Sequence, residues 1–142
     1  MSRRAVEVVA PSRLHLGMFS FGHTQRRRYG GVGLMVDRPG IVLRVLPAPS
    51  FSAVGPLAER AADFAARWAR SRVRADQPAC RLEIVSAPPE HAGLGVGTQL
   101  GMAVAAALDS LFQLEPLPLD ETARLMGRGR RSAIGVYGFQ LG

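Results

Sequence analysis

Pro88-Pro89-Glu90-His91-Ala92-Gly93-Leu94-Gly95-Val96-Gly97-Thr98-Gln99-Leu100 is the stretch around which the chain is organised. Three glycines fall within five residues, and glycine lets a backbone turn sharply and come close to a ligand. Upstream, Arg81-Leu82-Glu83-Ile84-Val85 alternates polar and apolar and predicts a strand. Downstream, the alanine-rich run Leu100 to Phe112 predicts a helix, apolar around most of its circumference and therefore buried. A strand, a glycine loop and a helix start together aim free backbone N–H groups and the positive helix end at an anion. A phosphate loop and a plain glycine turn stay evenly matched on spacing alone. The dinucleotide fingerprint fails, because Gly93, Gly95 and Gly97 lack its last interval. The Walker loop fails because the chain contains no lysine.

Composition narrows the class. The chain has 142 residues, enough for one domain with a sizeable core. No apolar run approaches the roughly 20 residues of a membrane span, and Met1-Ser2-Arg3-Arg4 leads into no signal core. One cysteine, Cys80, forms no internal disulfide, and we expect it in a core strand of a cytoplasmic protein. The net charge of +7 comes entirely from arginine, a residue that grips phosphate and carboxylate through a planar fork. Aromatics make up 6% and do not interleave with the basic residues. Nucleic-acid binding is therefore the minority reading and an anionic small molecule the main one.

The remaining elements follow in order. Val6 to Val9 predicts a first strand, interrupted by Pro11. Arg13 to Phe19 alternates, with Arg13 and His15 on one face and Leu14, Leu16 and Met18 on the other. The polar face reads either as an exposed strand face or as the wall of an anion site. Ser20 to Gly31, with Arg26-Arg27-Arg28, predicts a hairpin loop. A strand through Val36, a turn at Asp37-Arg38-Pro39-Gly40, and a strand Ile41–Leu46 come next. Leu57 to Arg72 has a helical apolar stripe with arginines opposite. Asp120 reads as the N-cap of a short helix over Glu121 to Met126. Gly127 to Phe139 predicts a second glycine-and-arginine loop running into a strand.

Pro89 to Gly97, as Pro-x-x-x-Gly-Leu-Gly, resembles the phosphate motif of the GHMP kinase superfamily. The form Gly-Leu-Gly-x-Gly-Thr-Gln-Leu is most similar to its β-ribofuranosylaminobenzene 5′-phosphate synthase branch. Arg13-Leu14-His15, Gly30-Gly31-Val32-Gly33 and Arg128-Gly129 with Ser132 match segments of that branch. The resemblance implies an α+β fold, a mixed sheet with helices packed on one side. It implies an enzyme of methanopterin biosynthesis that joins 4-hydroxybenzoate to phosphoribosyl pyrophosphate, releasing CO2 and pyrophosphate, with Mg2+. It assigns phosphate or substrate contacts to Gly93, Leu94, Gly95, Gly97, Thr98, Gln99, Arg13, His15, Arg128 and Ser132, and leaves catalytic residues and metal ligands unknown. The alternatives are an ATP-using kinase of the superfamily and a non-catalytic arginine-rich anion or nucleic-acid module. Val96 stands where the kinases carry a serine, and Gly135 where they carry an aspartate base, so both departures favour the synthase branch. The family continues into a second half of similar size. Residues 1–142 are therefore expected to be its N-terminal part, inactive alone and completed by that half or by a homo-oligomer.

Overall fold

The computed structural model describes residues 4–20, 22, 29–129 and 134–141. Arg26 to Arg28 and Ser132 lie outside them. Four strands form one mixed sheet in the order β1-β2-β4-β3: β1 (Val6–Ser20), β2 (Tyr29–Pro47), β3 (Ser52–Val54) and β4 (Cys80–Ser86). β1 pairs antiparallel with β2, and β2 antiparallel with β4. The short β3, which the sequence did not announce, runs parallel to β4 at the edge.

Pro11 does not break the first strand. It sits where the register jumps from Ala10–Ile41 to Ser12–Val36. Asp37 to Gly40 bulges out opposite it, and the Ser12 hydroxyl donates to the Pro39 carbonyl there. The expected turn is thus an excursion inside one long strand, held by a buried side chain rather than by a change of direction.

The helices α1 (Ala58–Arg72), α2 (Val96–Phe112), α3 (Leu119–Leu125) and α4 (Ile134–Leu141) complete the fold. Leu43, Val45, Ile41, Leu82 and Ile84 turn one sheet face into a core with Trp68, Leu100, Val104 and Leu108. Among the described residues the other face is open. At one end it carries the ion pairs Glu7–Arg44, 2.6 Å, and Arg81–Glu83, 2.8 Å. At the other it exposes Val9, Leu14, Leu16, Val32 and Leu34. Arg13 and His15 therefore occupy the covered face and the leucines the open one, because α2 and α4 pack against the hairpin from the side of Arg13. No helix among the described residues is long and apolar enough to cross a membrane.

Three local expectations change. α2 begins at Val96, one turn earlier than the glycines suggested; Gly95 takes the left-handed conformation at its N-cap, and its carbonyl accepts from Gln99 N at 3.2 Å. Asp120 lies inside the first turn of α3 and offers no capping bond; Pro118 holds the cap position. Residues 134–141 are a helix, not a strand. Gly135 and Gly138 let it settle closely on α2 and β2, where a Cβ on Gly138 would lie 3.0 Å from Met35 Cε.

Cys80 is fully buried in β4. Burial raises its thiol from 9.0 to about 11. The stability held by the neutral thiol is complete below about pH 9 and is lost as pH rises towards about 11. At neutral pH the folded chain is expected to resist alkylation and the urea-unfolded chain to react fully, read by mass. Rapid labelling of the folded chain would contradict this burial.

Candidate anion site

A cavity of about 290 Å³ opens at the N-terminus of α2, lined by Arg13, Arg60, Glu90, His91, the glycine loop, Thr98 and Arg128. Four separate stretches build it. From β1, the backbone N–H of Arg13 donates to the Leu94 carbonyl at 2.8 Å, tying the strand to the loop. The Arg13 side chain then lies against Gly95, where a Cβ would stand 3.1 Å from its Nε. Gly93 and Gly95 have φ of 74° and 67°, left-handed values that glycine adopts without penalty.

Arg60 arrives from the first turn of α1 and pairs with Glu90 ahead of the loop. Arg128 arrives from the turn after α3, where Gly127 and Gly129 have φ of 70° and 81°. Its own N–H donates to Ala123 O at 2.7 Å, fixing that turn. The terminal nitrogens of Arg60 and Arg128 both converge over Gly97, and any Cβ there would overlap them. Arg67 backs the cluster, donating to Met126 O at 3.0 Å with its guanidinium 5.8 Å from the Phe64 ring.

The electrostatics are unbalanced. Burial, then Arg60, Arg67 and Arg13, lower the pKa of Arg128, and burial lowers that of Arg13. The Nε atoms of Arg13 and Arg128 are buried without a hydrogen-bond partner among the described residues. Two like charges about 4 Å apart repel by about 4 kcal/mol at the effective dielectric of a protein surface. An anion between the guanidiniums would offset that repulsion and accept from their outer N–H groups.

Of the residues singled out in the sequence, Gly93, Leu94, Gly95, Gly97, Thr98, Arg13 and Arg128 line this cavity. Gln99 faces away: its Nε2 donates to Gly135 O at 2.7 Å and tethers α4. His15 is not in the lining, and its Nε2 is buried without a partner among the described residues. Ser132 lies outside the described residues. Arg60 and Glu90 are additions. Arg60 sits in a stripe of helix arginines that nothing local distinguishes, and only the folded proximity of α1 to the loop reveals it.

The described donor set offers little to the Mg2+ that the resemblance implied. Mg2+ is usually held by one or two carboxylates together with substrate phosphates. Among its described lining residues the cavity offers one carboxylate, Glu90, whose Oε1 is already engaged by Arg60. No group of three or more His, Cys, Asp or Glu gathers among the described residues.

A family model described as GHMP kinases N terminal domain matches residues 57–139. The beta-ribofuranosylphenol 5'-phosphate synthase of Archaeoglobus fulgidus is 36% identical over 134 residues, covering 93% of this chain and 41% of its own length. The Methanocaldococcus jannaschii protein of the same name is 29% identical over 146 residues, 95% of this chain and 44% of its own. A solved 4-(cytidine 5'-diphospho)-2C-methyl-D-erythritol kinase superposes with a TM-score of 0.67 at 26% identity, covering 88% of this chain and 47% of that one. The Streptococcus pneumoniae phosphomevalonate kinase shares the fold, with a TM-score of 0.57 at 11% identity over 87% of this chain and 39% of its own. The chain spans less than half the length of the relatives it matches.

Proposed function

This chain belongs to the GHMP kinase family through its N-terminal domain, and from that premise we propose that it holds the pyrophosphate end of phosphoribosyl pyrophosphate for a synthase of the ribofuranosylphenol 5'-phosphate type. The observation that carries the reading is the convergence of Arg13, Arg60 and Arg128 on the first turn of α2. In the proposed reaction the C1–O bond to pyrophosphate breaks, and the ring carbon bearing the carboxylate of 4-hydroxybenzoate bonds to C1. The carboxylate then leaves as CO2, and the electron pair of its C–C bond restores the ring. The product is a phenol, in keeping with the relatives' name. The arginines and the N–H groups of α2 are assigned to the charge that grows on the leaving oxygen.

Gly135 supports synthase over kinase chemistry. It stands where the resemblance puts the kinase base, yet it has no side chain and packs on α2, its Cβ position 3.2 Å from Thr98 Cγ2. The 26% identity to a kinase gives the competing reading its footing, so the deciding experiment runs both ligands. Calorimetric titration of the chain is expected to show phosphoribosyl pyrophosphate binding at least roughly tenfold more tightly than ATP, the difference of one good charge-assisted contact. Preference for ATP would overturn the synthase reading in favour of the kinase.

A further inference from the structure

We infer that this site takes a diphosphate as the metal-free anion, its arginines standing where a divalent cation would otherwise neutralise the charge. The inference rests on the anion-site reading above and goes further, since that reading is indifferent to the metal. Arg13, Arg60 and Arg128 face the cavity, and Glu90 is the one carboxylate among its described lining residues. That leaves an excess of two positive charges, to which the N-terminus of α2 adds about half a charge. Pyrophosphate brings enough negative charge at neutral pH to balance this excess unaided. Adding Mg2+ would put two more positive charges beside guanidiniums that already disfavour one another's charge. The one carboxylate described there, Glu90, is already neutralised by Arg60 through its Oε1.

The shape points the same way. Arg13 lies over Gly95, and Arg60 with Arg128 over Gly97, so arginines meet the loop at two glycines two residues apart. Two such points suit two linked phosphoryl groups better than one. At about 290 Å³ the cavity is at the small end of ligand sites, with room for a diphosphate head.

The test is calorimetric titration of the 142-residue chain with inorganic pyrophosphate, once in EDTA and once in excess Mg2+, with orthophosphate as the comparison. The expected result is binding in EDTA, weakened severalfold by Mg2+ because the magnesium complex is less anionic, and orthophosphate roughly tenfold weaker. Arg60→Gln and Arg128→Gln are each expected to weaken metal-free binding roughly ten- to a hundredfold, the loss of one charge-assisted contact. Circular dichroism identifies any variant that fails to fold, and for such a variant Arg→Lys keeps the charge while removing the fork. Pyrophosphate binding only with Mg2+ would overturn this inference and leave the anion-site reading standing. Binding in neither buffer would overturn both.

Discussion

Asp109→Ala is expected to destabilise the chain by about 3–5 kcal/mol, well beyond what breaking any of its exposed ion pairs would cost. Asp109 lies on α2 and is 5% exposed. Its Oδ1 accepts from Trp68 Nε1 at 2.9 Å and from Arg72 Nε at 3.1 Å. Truncation strands both donors. Arg72 also donates to the Glu115 carbonyl and has some access to water, but Trp68, 1% exposed and stacked obliquely on Phe112 at 5.2 Å, has none. The indole N–H alone would contribute about 1–3 kcal/mol of desolvation, and the lost charge-assisted bond to the partly buried Arg72 guanidinium supplies the rest. Urea unfolding followed by Trp68 fluorescence measures the loss directly. Asp109→Asn keeps an acceptor and should lose less. If Asp109→Ala lost under about 1 kcal/mol, the pair would contribute to specificity of packing and not to stability.

Gly97→Ala separates binding from folding. Gly97 is in the first turn of α2, where alanine gains up to about 1 kcal/mol of helix propensity over glycine. The atoms nearest the added Cβ are the outer ends of Arg60 and Arg128, with Arg128 Cζ 2.9 Å away. Those side chains can swing aside, so stability should change by no more than about 1 kcal/mol. Swinging aside takes both guanidiniums off the anion. Pyrophosphate affinity is expected to fall roughly a hundredfold, two charge-assisted contacts being weakened together. A Gly97→Ala chain that binds pyrophosphate as well as the parent would mean that the cradle does not lie over this glycine.

Much of this was legible in the chain, and the parts that were not share a physical cause. Period-two alternation announced β4, and the stripe through Phe64 and Trp68 announced α1, because each element has one face in a core. Ile134-Gly135-Val136-Tyr137-Gly138-Phe139 reads as a strand by the same rule, yet it is helical. Its glycines are contact points for α2 and β2, and local pattern cannot distinguish a glycine that admits a neighbouring helix from one that bends a strand. Pattern also placed Arg13 and His15 on one face without saying which face was covered. In the candidate site the loop and Arg128 were visible as motifs. Arg60 was not, because its role depends on a long-range approach.

That dependence has a consequence for how the site comes into being. Arg13, Arg60, the Leu94–Gly97 turn and Arg128 are drawn from nearly the whole length of the chain, and the Arg13–Leu94 bond joins the first strand to the loop. Contacts of such sequence separation bear a loop-closure entropy that is recovered only late, so no nascent or partly ordered chain can hold the anion. The ligand should therefore act as a latch on the finished fold, slowing its unfolding without hastening its formation.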